Sequence, residues 1–400
     1  MKKYVFDNIQ MLAKESPAQR CEGMFTEETA EKVLRFHRSM PQYGETELML
    51  LPAAAEKYGV RAICVKDESA RFGLKAFKGL GGSYAVFRCL CERLGLDPDA
   101  ASFSDLQTEE LQARCAGIEF ATATDGNHGK GVAWAARLFG CCAHVYMPRG
   151  SVEARRKAIE DAGAAEAVIT DFNYDRTVAY ASRLAEKNGW MLVQDTAWEG
   201  YEDVPRWIIE GYLTLAAESC AQMDGMVPTH VFLQAGVGAM AGGVTGYLLD
   251  RFKDEPPLIT TVEPTDVACV FLSAEAGDGK ARSVEGDPET IMAGLNCGTP
   301  CSIIWPVLRD GASYYCACDD IITEEGMRAY AKPLGGDPAV VSGESGAVTY
   351  GLLLRILKDQ AMRRLWKIDK DSVILLISTE GATDPEGYEK VVRRKRDGEY

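Results

Sequence analysis

The chain has 400 residues, 46% of them hydrophobic and 26% charged, the composition of a folded protein with room for two domains or one large domain carrying an insertion. Its net charge of −15 argues against nucleic acid or an acidic membrane surface as a partner, because binding to phosphates rests on clustered Lys and Arg. The 13 cysteines form no Cys-x-x-Cys pair and none stands at ligand spacing from a histidine, so buried thiols are expected and a metal site is not.

In chain order, the opening Met1-Lys2-Lys3-Tyr4-Val5-Phe6-Asp7-Asn8 meets an acid before an apolar core can form. It is not read as a signal peptide, no later apolar run reaches the length of a membrane span, and a cytoplasmic protein is expected. Residues 25–40 read as a helix capped by Thr26 and closed by Pro41, and 60–66 as a strand leading to the stretch 71–85. A helix from about 83 to 91 and a polar segment, 97–113, follow. Strand 120–124 opens into Asp125-Gly126-Asn127-His128-Gly129, and a helix around 134–137, strand 143–148, helix 153–162 and strand 167–170 come next. Strand 190–194 leads into Asp195. Then come a long helix, 207–221, strand 230–234, a glycine turn, strand 258–262, a Gly-rich helix start at 342–346 and strand 373–377, which ends in Ser378-Thr379-Glu380-Gly381. Arg393-Arg394-Lys395-Arg396 reads as a solvated helix end. Strands alternating with helices predict an α/β fold with a mostly parallel sheet, whose ligands bind beyond the carboxyl ends of the strands.

Two strand ends carry the chemistry. Lys78 follows Phe77 and precedes Gly79, Gly81 and Gly82. Lysine is a nucleophile only after it loses a proton, which burial against Leu74, Ala76 and Phe77 would promote, and the glycines would admit a flat ligand or another backbone. The alternative is a solvated charge at a Gly-rich helix start. The second strand end is Gly236-Val237-Gly238-Ala239-Met240, whose free N–H groups and helix dipole make a phosphate cradle. With Ala241, and with Glu263 at the end of the next strand, that loop also satisfies a dinucleotide fingerprint, which would make the protein an NAD-dependent oxidoreductase. Such a domain explains neither Phe77-Lys78-Gly79 nor Thr124-Asp125-Gly126-Asn127-His128-Gly129. Pyridoxal 5'-phosphate explains them together, because it needs an amine for its aldehyde, an anion cradle, a polar group at its ring hydroxyl and a partner at its ring nitrogen.

From about residue 40 to the last strand, these stretches, together with 194–201, 234–243, 342–348 and 378–381, resemble the fold type II pyridoxal-phosphate enzymes, the group of tryptophan synthase β chains and threonine dehydratases. Within that group they are more similar to the diaminopropionate ammonia-lyases. The resemblance implies a large domain with a mostly parallel sheet (1–85 and 205–400), a smaller inserted α/β domain (86–204) that carries the Asp125-Gly126-Asn127 loop, and a homodimer acting on a small amino acid. The implied reaction is α,β-elimination of 2,3-diaminopropionate, D and L isomers alike, to pyruvate and two ammonia. Threonine or serine dehydratase chemistry is the nearest alternative.

Among the lysines, the resemblance selects Lys78 over Lys75 and Lys66 to hold the cofactor and to act as base, with Phe77 beside it. Asn127 would bond the ring oxygen, residues Gly236, Val237, Gly238, Ala239 and Met240 the phosphate, and Ser378 or Thr379 the ring nitrogen, with Glu380 near enough in sequence to compete. Asp125 is a second candidate base from another loop, Thr124 a candidate for the substrate carboxylate, and Asp125 and Asp195 the carboxylates for the β-nitrogen. Asp195 is otherwise a helix cap, and His128 a packing residue. Two departures from the dehydratase pattern stand out, Leu80 in place of an Arg and Asp125 in place of a Ser. An extra carboxylate suits a substrate with a second ammonium.

Overall fold

A computed structural model describes the chain apart from residues 17, 20–22, 125, 287 and 395–400. Its strands are β1 (Lys2–Phe6), β2 (Ile9–Ala13), β3 (Leu48–Leu50), β4 (Ala62–Asp67), β5 (Glu119–Ala123), β6 (Cys142–Met147), β7 (Glu166–Ile169), β8 (Met191–Leu192), β9 (His230–Gln234), β10 (Leu258–Pro264), β11 (Tyr314–Cys318) and β12 (Val373–Ser378). They form two sheets. The larger has the order β1-β2-β11-β10-β9-β12-β4-β3, parallel from β11 to β4 and antiparallel at both margins. The smaller, β7-β6-β5-β8, is parallel throughout.

The helices that bear on the site are α1 (Glu27–Ser39), α2 (Lys78–Leu94), α3 (Asn127–Leu138), α4 (Tyr174–Asn188), α5 (Asp203–Gln222), α6 (Ala239–Arg251), α7 (Cys269–Ala276) and α8 (Glu344–Lys358). The central strands of the large sheet are apolar at successive positions because both faces are covered. Val231, Leu233, Leu375 and Ile377 join the core shared with α1, α2, α5 and α6, while the alternate residues Phe232, Ile374 and Leu376 join the core under α8. Among the described residues no helix is long and apolar enough to cross a membrane, and no cluster of ligating side chains could hold a metal ion.

Several elements depart from the sequence reading. Helix α2 starts at Lys78 itself, just ahead of a start near Gly79 or Gly81, so Gly79, Gly81 and Gly82 lie inside it. Gly81 and Gly82 serve packing between helices. A Cβ on Gly81 would meet Ile208 O at 2.7 Å, and one on Gly82 would meet Gly131 C at 2.9 Å, so these two positions let α5 and α3 close on α2. Strand β8 is a short remnant of the expected 190–194. The hairpin β1–β2, strand β11 and helix α4 were not anticipated; α4 is announced by Asn173, whose side chain accepts from the Arg176 N–H.

Candidate active site

Three strand ends and four helix starts converge on a cleft of about 590 Å³ that is open to solvent. Lys78 enters it from the start of α2, Asn127 from the start of α3, Asp195 from the segment after β8, residues 234–240 from the end of β9, Ser345 from α8, and Thr379 and Glu380 from the end of β12. Lys78 Nζ donates to Asp195 Oδ2 at 2.6 Å, although the two are 117 positions apart in sequence. Burial alone would raise the Asp195 carboxyl, but the Lys78 ammonium outweighs it and holds the group at about 2. Burial alone would likewise lower Lys78, and Asp195 reverses that, holding the amine well above the usual lysine range. The Phe77 ring lies 5.6 Å from the same nitrogen.

The glycine loop has the form of an anion cradle. Gly238 adopts φ +87°, a conformation that favours glycine, and α6 starts at the next residue. Among the described residues, no group accepts from the N–H groups of Gly236, Val237, Gly238, Ala239 or Met240, so five donors are free at the positive end of a helix. A single phosphate fits that end of the cavity, and the Lys78 amine at the other fits an aldehyde. The residues present therefore suit pyridoxal phosphate.

The remaining predicted residues divide. Thr379 lies in the wall, where its hydroxyl accepts from Gln234 Nε2 at 3.0 Å and keeps its own proton to give. Ser378 turns away and bonds Ser342 Oγ at 2.9 Å. Thr124 stays behind the wall, its hydroxyl accepting from the N–H groups of Gly126 and Gly129 at 2.9 and 3.0 Å to cap α3. Asp125 lies outside the described residues. His128 is buried, donates from Nε2 to Val193 O at 2.8 Å, and places Nδ1 3.9 Å from Asp195 Oδ2.

Neither rival lysine reaches the cavity. Lys66 is enclosed beside Glu218, and Lys75 is exposed. Glu263, the acid of the dinucleotide fingerprint, is buried and accepts from the N–H groups of Val270 and Phe271 at 2.8 and 2.7 Å, so it caps α7 and is not available to a ribose. Sequence reasoning missed Gln234, Ser345 and Cys297 in the wall and considered Glu380 only as a competitor for the ring nitrogen. Gln234 had a signal, a polar residue ending an apolar strand just before the glycine loop.

The family model described as pyridoxal-phosphate dependent enzyme matches residues 40–379. The diaminopropionate ammonia-lyase of Salmonella typhimurium is 46% identical over 368 residues, covering 90% of this chain and 91% of that one. The Escherichia coli K12 enzyme of the same name is 46% identical over 374 residues, covering 92% of each. The E. coli diaminopropionate ammonia lyase solved in complex with an aminoacrylate-PLP azomethine reaction intermediate superposes with a TM-score of 0.88 at 43% identity, covering 96% of this chain and 97% of that one. The chain belongs to the pyridoxal-phosphate-dependent enzyme family and, within it, to the diaminopropionate ammonia-lyases.

Proposed function

We propose that the protein catalyses the pyridoxal-phosphate-dependent α,β-elimination of 2,3-diaminopropionate, from D and L isomers alike, to pyruvate and two ammonia. The observation that carries this reading is the Lys78–Asp195 pair, 2.6 Å apart and facing the glycine cradle. The cofactor would supply an electron-accepting ring. Lys78 holds the cofactor at rest and, once released, takes the proton from the substrate Cα. Asp195, held ionised beside Lys78, is the carboxylate that steadies the β-ammonium so that it departs as ammonia.

The N–H groups of residues 236–240 grip the phosphate, Asn127 meets the ring oxygen, and the Thr379 hydroxyl, in place of Ser378, meets the ring nitrogen. Asp125, next to Gly126, is the base for the second isomer. The domain division 1–85 with 205–400 and 86–204, a homodimer and a cytoplasmic location complete the proposal. Separate sheets on the two sides of that division support its first part.

Borohydride reduction of the yellow holoenzyme is expected to attach the cofactor to the peptide carrying Lys78, and labelling at Lys75 or Lys66 would reject the assignment. Pyruvate assayed side by side from diaminopropionate, serine and threonine separates a lyase of this kind from a dehydratase. Asp125→Asn should slow one isomer much more than the other, and equal losses would reject the role of Asp125.

A further inference from the structure

Among the described residues, Glu380 is the one carboxylate in the cavity wall besides Asp195, and the reaction as proposed gives it nothing to do. Its backbone is fixed across from the lysine loop. Phe77 N–H donates to Thr379 O at 3.1 Å and Gly381 N–H donates to Lys75 O at 2.9 Å, so Glu380 stands opposite Ala76. From there its side chain reaches two helix starts. Asn127 Nδ2 donates to Oε2 at 2.5 Å, Ser345 N–H donates to Oε1 at 3.2 Å, and the Thr383 hydroxyl donates to Oε2 at 3.3 Å. Helix N-termini favour a negative charge, and on the same helix as Asn127 burial lowers the Lys130 amine to about 8 while the Glu380 charge opposes that shift.

An ionised carboxylate can only accept. Asn127 must therefore turn its nitrogen toward Glu380, which decides the orientation of an amide whose two ends are otherwise nearly alike. The second N–H of that nitrogen has no acceptor among the described residues, and a charge-assisted bond on the first polarises it.

We infer that Glu380 is a positioning residue that acts through Asn127, fixing the amide so that an N–H, and not a carbonyl, is presented to the ring oxygen of the bound cofactor and keeps that oxygen ionised. This rests on the reading of the cavity as a pyridoxal-phosphate site. Glutamine at 380 offers both a carbonyl and an amide and so releases the constraint on Asn127.

The test is the absorption spectrum of the holoenzyme, whose two bands report whether the ring oxygen carries a proton, together with the Kd of the cofactor by equilibrium dialysis. Glu380→Gln is expected to shift the band ratio severalfold toward the protonated form and to weaken cofactor binding about tenfold. Glu380→Asp should recover part of both. In an Asn127→Ala background, adding Glu380→Gln should move the ratio by less than about twofold, because the two residues act in series. An unmoved ratio in folded Glu380→Gln holoenzyme overturns the inference, and so does a full shift that persists without the Asn127 amide. Where Glu380→Gln does not fold, Glu380→Asp with and without Asn127→Ala gives the same two outcomes. Wild-type protein that takes up no absorbing cofactor overturns the site reading along with this one.

Discussion

Two lysines in this molecule each hold a buried carboxylate at bonding distance, and they differ in what lies around the pair. Lys66 Nζ is 2.7 Å from Glu218 Oε2 with both side chains fully enclosed, and the Thr46 carbonyl and Gln222 take its other protons. Arg71 closes the group by bridging Glu218 and Glu68. Lys78 Nζ is 2.6 Å from Asp195 Oδ2, but 17% of the lysine side chain stays accessible and faces the glycine cradle. The first pair is saturated, so a proton moving within it has nowhere to go. The second has an open side, and a ligand arriving there changes which atom carries the proton. A buried ion pair is weak evidence for stability and none for function; the unsaturated side marks the site.

That contrast can be broken by exchanging the roles of the two pairs. Lys78→Ala should lower the elimination rate at least about 10⁴-fold, the loss expected when base and cofactor anchor go together, with a smaller loss of stability than at the fully enclosed pair. Residual pyruvate formation within tenfold of wild type, roughly the scale of a peripheral substitution, would remove Lys78 from the mechanism. Lys66→Met should do the reverse. It leaves Glu218 less compensated in the interior and should cost about 3–5 kcal/mol in urea unfolding while the folded fraction keeps its kcat.

Asp195→Asn keeps the shape of the open pair and removes its charge. An expected loss of about 10²-fold in kcat, with the cofactor still attached, would separate proton handling from anchoring.

A last effect, seen only on acidification, concerns the packing that carries α2. His37 is buried, bonded to Thr214 Oγ1 at 2.7 Å and to Leu80 O at 3.1 Å, and burial followed by the nearby Arg71 charge lowers it to about 3. Between that value and its ordinary one the unfolded chain binds a proton that the folded chain refuses. Stability should therefore fall as pH drops through this window, by up to about 1.4 kcal/mol per unit, and His37→Gln should flatten the slope.

Much of the frame was legible in the sequence because apolar runs here stop at glycine. Strand β9 ends before Gly236, β12 before Gly381, and the cap at Thr26 opens α1 where its hydroxyl accepts from Thr29 N–H. The lysine and the cradle could be read for the same reason. The partnership of Lys78 with Asp195 could not, because nothing local records a contact made across 117 positions. Ser378 and Thr124 show a related limit. Each has the right hydroxyl beside a strand end, but the side to which it points is set by Ser342 in one case and by the start of α3 in the other. Strand β11 is hard to read in the sequence because its alternate residues join opposite cores, so no alternation of apolar and polar residues marks it.

The order in which the large sheet is built has a consequence for synthesis. Strand β12 lies between β9 and β4, and it pairs Leu375 with Cys64. Lys78 therefore precedes in the chain the strand that walls it in. Until that strand inserts, the lysine is an ordinary solvated amine on a nascent chain, and the cofactor has no complete grip. Contacts of such long range also slow folding. Cofactor capture thus requires β12 in place, and it reports assembly of the large sheet.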